Sequence, residues 1–278
     1  MNKKEFKNFF EFYSKNVDNT DRNYFWKLSD DIILEIIKNN IPLNASSDSV
    51  IMDAGGGTGK WICKLSKIYK SKFILYDLSE NMLRQAKKNI ENANINERVK
   101  IIKGDLKYIS EIKNSSVDYI ISIYNPISFI YQKERAISEM YRLLKRHGKI
   151  IIMGQGYYNT LASKINNFIV SPKEIKKIER EYMVKWNPCV PELNIFSKES
   201  IEKELKEAGF KIKKTYGVPV FVQPGLEEFD PKNIKKSRIA KALESPILFK
   251  VILNLEMKYG SRPEVANRGM NILCIAEK

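Results

Sequence analysis

One stretch near the start of the chain constrains the fold more than any other. Residues 50–61 read Val-Ile-Met-Asp-Ala-Gly-Gly-Gly-Thr-Gly-Lys-Trp, an apolar run that ends in glycines. The apolar run is typical of a buried strand, and glycines after it let the backbone turn sharply and approach a ligand closely. The stretch therefore predicts a strand, a ligand-binding turn and a helix, the first unit of an α/β fold.

Two phosphate-binding patterns fit this turn poorly. A phosphate loop has a glycine, four further residues and then Gly-Lys followed by Ser or Thr. In this chain Ala54 occupies the first position and Trp61 the last, so that pattern is rejected. A dinucleotide-binding turn has Gly or Ala at the third position of its pattern, where Lys60 stands. Because a bulky residue there obstructs close packing of the helix on the strand, this pattern is disfavoured too.

An acidic residue followed by alternating glycines gives a third pattern: Asp53, Gly55, Gly57 and Gly59. It resembles the first motif of class I S-adenosylmethionine (SAM) methyltransferases. A carboxylate at the end of a strand suits the cationic amino group of the methionine moiety better than it suits a pyrophosphate. The resemblance implies SAM as the cofactor, bound by these four residues. From this stretch alone, a glycine turn without a ligand stays open.

Two further acidic residues follow the next two predicted strands. Asp77 ends the strand at 73–77, where a carboxylate is placed to accept hydrogen bonds from both ribose hydroxyls. Asp105 follows the strand at 99–102, at the position where the resembling family has an acidic residue that receives the adenine amino group.

Three apolar neighbours of these acids are also candidates for the cofactor site. The resemblance implies cofactor contacts for Leu78 and Leu106, which directly follow Asp77 and Asp105. Met82 lies on a helix that Ser79 is expected to cap. Its side chain is interpreted either as lying against the adenine or as packing in the core.

The segment after the fourth predicted strand, 117–123, is expected to meet the methyl acceptor. Tyr124 and Asn125 are the candidates for positioning the substrate, and Tyr124 is a candidate for contact with the cofactor as well. The segment partly resembles the Asn-Pro-Pro-aromatic motif of nitrogen methyltransferases, but Ile127 and Ser128 depart from that motif. The pattern of Asn, a spacer, an apolar residue and Ser is more similar to that of small-molecule methyltransferases.

The order of elements, together with the resemblance, implies a Rossmann-like fold. It predicts a seven-stranded, mostly parallel sheet with one antiparallel strand and helices on both faces. Residues 49–278 are assigned to the methyltransferase domain, with insertions at about 156–196 and 223–262 as a cap over the substrate. Residues 1–48 are predicted to form a helical lid.

The lid offers further candidates. Tyr13, a candidate catalytic residue, and Tyr24 could face the cofactor, or the two predicted helices could simply pack against the sheet. The only histidine, His147, precedes the strand predicted at 150–153. Ligands of open α/β sheets bind at the carboxyl ends of the strands, so His147 is expected on the wrong side to act as a base.

Composition limits the other classes of function. The formal net charge is +15, which suits nucleic acid or a membrane surface, but the lysine excess also accompanies abundant Ile and Asn, as A/T-rich coding would give. The three cysteines match no metal spacing, so no metal site is predicted, and an odd count fits the cytoplasm. The sequence contains no run of 18 apolar residues, so no membrane span is predicted.

We therefore expect a cytoplasmic SAM-dependent methyltransferase that acts on oxygen or nitrogen of a small molecule. Two alternatives stay open. One is a methyltransferase acting on RNA or a peptide, which the positive charge suits and the lack of an appended RNA-binding domain disfavours. The other is a non-catalytic SAM-binding protein.

Overall fold

A single twisted sheet runs through the computed structural model, which describes residues 9–10, 23–43, 47–168, 170–229 and 236–278. The strands within these residues are β1 Val50–Ala54, β2 Lys72–Asp77, β3 Val99–Lys103, β4 Val117–Ser122, β5 Leu144–Gly156, β6 Met183–Val184, β7 Leu193–Phe196, β8 Lys211–Val218 and β9 Asn271–Glu277.

The main sheet has the order β3-β2-β1-β4-β5-β9-β8. β9 is antiparallel to both of its neighbours, and the other six strands are parallel to one another. This arrangement confirms the predicted mostly parallel sheet with one reversed strand. Since the parallel strands all end at the same edge, their carboxyl ends bring distant parts of the sequence together.

Two short strands add to the predicted seven. β7 pairs in parallel with the last residues of β5, with Gln155 opposite Ile195, and β6 pairs with β7 in the antiparallel sense. The sequence did not predict them because they contain four and two residues, too few for a recognisable periodicity. They lie inside the segment 156–196 that was predicted to be an insertion.

Helices cover both faces of the sheet. Those within the described residues are α1 Tyr24–Lys38, α2 Lys60–Leu65, α3 Glu80–Asn92, α4 Lys133–Leu143, α5 Tyr157–Asn167, α6 Pro172–Glu181, α7 Lys198–Glu207, α8 Arg238–Ala242, α9 Pro246–Tyr259 and α10 Pro263–Ala266. The sequence predicts Ser79, Ser171 and Ser197 as helix caps, and they cap α3, α6 and α7. Each side chain accepts a hydrogen bond from a backbone N–H in the first turn.

The apolar core has one layer on each face of the sheet. Ile33 and Ile36 of α1 are fully buried in the first layer, with α2 and α3 beside them. Met140 of α4 and Leu205 of α7 are buried in the second layer. The fully buried isoleucines show that α1 packs against the sheet. The first predicted helix of the lid, with Tyr13, falls largely outside the described residues, and the lid and domain boundaries stay predictions.

The sequence predicts a helix from Lys60 to about Lys70 after β1, but the helix ends at Leu65. The Arg98 guanidinium donates hydrogen bonds to the backbone oxygens of Ser66, at 3.1 Å, and Tyr69, at 2.9 Å. These bonds satisfy carbonyl groups that a longer helix would have used itself. The Tyr69 ring is buried and its hydroxyl donates to the Ile41 oxygen, which fixes the non-helical end.

A buried carboxylate fastens the chain after β8 to α9. Glu256 is 1% exposed, and its carboxylate accepts hydrogen bonds from the backbone N–H groups of Val220, Phe221 and Val222, at 2.8, 2.9 and 3.2 Å. Within the described residues these three donors have no other acceptor. Glu256 therefore determines the path of the segment that follows the sheet.

Replacing Glu256 with Ala should lower the free energy of unfolding by at least about 2 kcal/mol, because a buried donor without a partner costs about 1–3 kcal/mol. Urea denaturation measures the change. Glu244→Ala is the matched control, since Glu244 forms an exposed ion pair with Lys236 and should cost less than about 1 kcal/mol. Equal losses in the two variants would contradict the anchoring role.

Candidate functional site

A large cavity opens at the carboxyl edge of the sheet, with a volume of about 1840 Å³. One part, the glycine end, is lined by Asp53, Gly55, Gly57, Asp77 and Asp105. The other part, the aromatic end, is lined by Phe9, Phe10, Phe129, Tyr158, Phe168 and Trp186. Ligand sites in proteins commonly have 300–1,000 Å³, so this cavity has room for two ligands side by side.

The turn after β1 depends on two of its glycines. Gly55 has a φ of +76°, and a Cβ atom there would lie 2.5 Å from the Cβ of Pro126. Gly57 has a φ of +55°, and its N–H donates to the Asp77 carboxylate at 2.9 Å. Asp77 also accepts from the Ser79 N–H at 2.7 Å. The second carboxylate of the predicted series therefore braces the glycine turn.

The first carboxylate, Asp53, lies beneath this turn. It is 1% exposed, and its Oδ2 atom has no hydrogen-bond partner among the described residues. Burial raises its pKa to about 8, and the nearby Asp77 carboxylate contributes. A buried carboxylate without a partner is costly unless a cation or a donor approaches it. The site therefore fits a ligand that brings a cationic amino group to Asp53, as SAM does.

The other predicted cofactor residues also line the glycine end, except Gly59, which precedes α2 with a φ of +75° and does not line the cavity. Asp105 accepts a hydrogen bond from the Lys107 N–H at 3.0 Å. Met82 and Leu106 are buried, whereas Leu78 is exposed to 44%. Met82 lines the cavity and is only 4% exposed, so its two interpretations are compatible. The structure brings all these residues except Gly59 to one cavity, and their contacts with the cofactor stay predictions.

Tyr124 and Asn125 follow β4 and line the same cavity. Both have positive φ, +61° and +69°, which turns the chain abruptly at the edge of the sheet. The Asn125 side chain donates to the Oδ1 atom of Asn271 at 2.7 Å, and its own Oδ1 is buried without a partner among the described residues. The Asn125 oxygen can therefore accept a hydrogen bond from a ligand.

The Tyr124 hydroxyl donates to the carboxylate of Asp30, a residue that sequence reasoning missed. Asp30 lies on α1, is 2% exposed and forms ion pairs with Lys60, at 3.0 Å, and Lys64. A signal was available, because Asp30 precedes Ile33 by three residues and so falls on the apolar face of an amphipathic helix. This cluster joins α1 to the residue that follows β4.

A second missed carboxylate stands in the wall of the cavity. Glu228 is 4% exposed, and its Oε2 atom accepts from the Gly225 N–H at 2.6 Å. Its Oε1 atom is buried with no partner among the described residues. The Trp26 indole N–H donates to the Glu228 backbone oxygen at 3.0 Å. No sequence motif distinguishes Glu228 from its neighbour Glu227, and only the fold places it in the cavity wall.

Other candidates lie away from the cavity. The Tyr24 ring packs on Phe249, with centroids 6.5 Å apart, and does not line the cavity. His147 is 71% exposed, at the amino-terminal part of β5, with its Nδ1 atom 3.5 Å from the Glu277 carboxylate. Tyr13 lies outside the described residues. Within the described part of the chain, no group of three or more His, Cys, Asp or Glu side chains could hold a metal ion.

Comparison with known proteins identifies the domain that contains this cavity. The family model for a methyltransferase domain matches residues 51–148, from the glycine turn to the start of β5. A protein from Methanococcus maripaludis, described as an S-adenosyl-L-methionine-dependent methyltransferase, is 28% identical with a TM-score of 0.52; the match covers 74% of this chain and 88% of that one. The chain belongs to the class I SAM-dependent methyltransferases.

Two curated relatives of this methyltransferase carry the name ubiquinone/menaquinone biosynthesis C-methyltransferase UbiE. The Rickettsia bellii protein is 29% identical over 179 residues, which cover 59% of this chain and 69% of the relative. The Blochmanniella floridana protein is 31% identical over 105 residues, which cover 37% of this chain and 41% of the relative.

Asp53→Asn should weaken SAM binding by about 10- to 100-fold, since a hydrogen bond to a charged group contributes about 1.5–3 kcal/mol. The same change should raise the melting temperature. Between the ordinary pKa of 3.8 and about 8, the folded chain holds a proton on Asp53 that the unfolded chain releases, so its contribution to stability falls as pH rises.

The gain in melting temperature should therefore be larger at pH 8 than at pH 5. Calorimetry with SAM and thermal melts at both pH values measure the two effects. Glu97→Gln, a surface carboxylate outside the cavity, is the control and should change neither. Unchanged SAM affinity in a folded Asp53→Asn protein would contradict the placement of the amino group.

Proposed function

We propose that this methyltransferase transfers the methyl group of SAM to an oxygen or nitrogen atom of a small, largely apolar molecule. The observation that carries the proposal is that the glycine end, Asn125 and the aromatic end all line one cavity. An aromatic chamber of this kind suits a molecule with rings or an alkyl chain better than it suits a polyanion.

The glycine end would hold the cofactor. Asp53 would bind the amino group, Asp77 the ribose hydroxyls and Asp105 the adenine amino group. The backbone at Gly55 and Gly57 allows close approach because no side chain projects there. When bound, SAM supplies a methyl group already activated by the sulfonium charge.

The protein's own contribution is to position the acceptor and manage its proton. The unpartnered oxygen of Asn125 can accept a hydrogen bond from an acceptor hydroxyl or amine. The Oε1 atom of Glu228, equally without a partner among the described residues, is a candidate general base that would remove that proton. Correct placement alone can contribute up to roughly 7–11 kcal/mol in favourable intramolecular models.

The aromatic end would also exclude water from the reacting groups. Phe9 stacks on Phe129, with ring centroids 5.9 Å apart, and Phe168 meets Trp186 at 5.8 Å. Removing water strengthens the electrostatic interactions within the site and keeps the Glu228 carboxylate available to the acceptor.

A carbon acceptor is the second candidate. The two curated relatives are named C-methyltransferases, and an aromatic chamber also suits a quinone-like or prenylated ring. Glu228 would serve here too, because methylation at carbon releases a proton from that carbon. Multidimensional NMR of the purified product distinguishes methyl on carbon from methyl on oxygen or nitrogen.

The location of the enzyme is part of the proposal. Within the described residues no helix is both long enough and apolar enough to cross a membrane. The three cysteines are free thiols and one of them, Cys189, is exposed, which suits a reducing compartment. We place the methyltransferase in the cytoplasm.

The experiment that tests the acceptor class uses SAM with a labelled methyl group. The enzyme is incubated with an extract of its host, and the label is then measured in the solvent-extractable small molecules, the RNA and the protein. Label in the small-molecule fraction, with matching release of S-adenosylhomocysteine, is expected. Label confined to RNA or protein would overturn the proposal in favour of a macromolecular acceptor.

Glu228→Gln should lower kcat by about 100-fold or more, because general bases typically contribute 10²–10⁴-fold. SAM affinity should not change. Glu227→Gln, at the exposed neighbouring position, is the matched control and should stay within about twofold of the parent. A normal kcat in Glu228→Gln would mean that the acceptor reacts without this base.

His147→Ala should leave turnover within a few-fold of the parent. His147 is eight residues before Gln155, which lines the cavity, so at about 3.3 Å per residue the two are roughly 20 Å or more apart. A general base must lie about 3 Å from the proton or one water away. Loss of turnover in a folded His147→Ala protein would contradict both the base assignment and the orientation of β5.

A further inference from the structure

α9 presents large apolar side chains to solvent instead of to the protein. Ile247 is exposed to 80%, Val251 to 49% and Leu255 to 41%, and Leu248 to 38%. These residues follow one another at four-residue spacing, with Leu248 beside them, so they form one continuous stripe along the outer side of the helix. We call these four residues the α9 stripe.

The opposite side of α9 accounts for its attachment to the protein. Glu256 is buried there, and Phe249 contacts the ring of Tyr24 on α1. The helix therefore cannot turn its outer side inward without breaking the three hydrogen bonds to Glu256. The α9 stripe is a fixed feature of the folded chain.

The exposed charged side chains of α9, and of α8 just before it in the chain, are positive. Lys250 and Lys258 lie on the outer side of α9, and Arg238 and Lys241 are exposed on α8. Each of the two acidic residues in the described segment 236–259 is either paired with a cation or buried. Glu244 is paired with Lys236 at 2.6 Å, and Glu256 is buried. An apolar strip with a cationic border is thus presented to solvent.

We propose that the α9 stripe docks this chain on the surface of an anionic lipid bilayer. Apolar side chains of an interfacial helix enter the boundary between head groups and acyl chains, while lysines and arginines beside them contact anionic head groups. Each such cation near the surface of an anionic membrane contributes attraction that falls off within a Debye length. The combination on α9 and α8 matches this chemistry on both counts.

Two other occupants suit the surface less well. A second copy of the chain, related by a two-fold axis through the stripe, would bring the same cations together across the interface. A nucleic acid would meet the cations, but its phosphates would face four exposed apolar side chains at the centre of the contact. The lipid surface is the partner that satisfies the apolar and charged parts together.

Docking at this surface would place the cavity close to the membrane. Glu256 holds residues 220–222, and the chain continues directly into Gln223, Gly225 and Glu228, which line the cavity. Phe221, one of the three residues that Glu256 holds, is itself exposed to 48%. The inference rests on α8 and α9 and not on the identity of the methyl acceptor.

Sedimentation with lipid vesicles tests the proposal. The full chain is mixed with vesicles of phosphatidylcholine alone, or with vesicles in which about one lipid in three is the anionic phosphatidylglycerol. At least tenfold more protein should sediment with the anionic vesicles, and binding should weaken as salt rises. The double variant I247E/V251E should lose the binding at low salt, and K250Q/K258Q should lose most of it.

The matched control is Leu43→Glu, which places the same charge at a leucine that is 65% exposed but lies after α1. It should bind vesicles as the parent does, and all variants should retain the parent's SAM affinity. Equal binding to neutral and anionic vesicles, or unchanged binding of I247E/V251E, would overturn the proposal. A concentration-dependent dimer that I247E/V251E abolishes in sedimentation analysis, without vesicle binding by the parent, would assign the stripe to self-association instead.

Discussion

The hydrogen bond between the Gly57 N–H and the Asp77 carboxylate joins the ends of two neighbouring strands, and the glycine end of the cavity depends on it. β1 and β2 are parallel, so Asp53 and Asp77 arrive at the same edge of the sheet. The two carboxylates oppose each other's ionisation, and burial raises the pKa of both. The fold thus keeps two acids close together in a site where a cationic ligand lowers their electrostatic cost.

A second buried carboxylate, Asp30, lies in a cluster of charged and polar groups. Asp30 on α1 is surrounded by Lys60, Lys64 and the Tyr124 hydroxyl, so its charge is compensated within the protein. Asp53 has no such partners among the described residues. The contrast separates a carboxylate that holds the structure together from one that is available to a ligand, although both are almost completely buried.

The parts of the fold that sequence reasoning predicted are those in which local pattern and global structure agree. The apolar strands, the serine caps of α3, α6 and α7, and a helix near Pro246–Tyr259, observed as α9, depend on neighbouring residues, and each is predicted from a short window. The acids at 53, 77 and 105 could be aligned because parallel strands end at one edge. That rule locates the cavity but does not prove the role of each residue.

The features that were missed depend on contacts between distant segments. Arg98 shortens α2 by binding carbonyl groups about 30 residues earlier, and β7 pairs with β5 across some 40 residues. Glu228 enters the cavity wall only because Trp26 and Gly225 hold its segment in place. No local periodicity records such pairings, since each partner lies in a different element of the chain.

The sequence determines the net charge of +15, but only the fold determines where the charges lie. A/T-rich coding raises the number of lysines and isoleucines, but it does not decide on which side of a helix they lie. On α9 the carboxylate faces inward and binds three backbone donors, while Ile247, Val251 and Lys258 face outward. The ordinary burial preferences of these residues would leave the acidic side chain in water and the isoleucine in the core. On α9 the arrangement is reversed, because the apolar side chains are exposed and the acidic side chain is buried. An exposed surface that is both apolar and cationic points to a lipid partner.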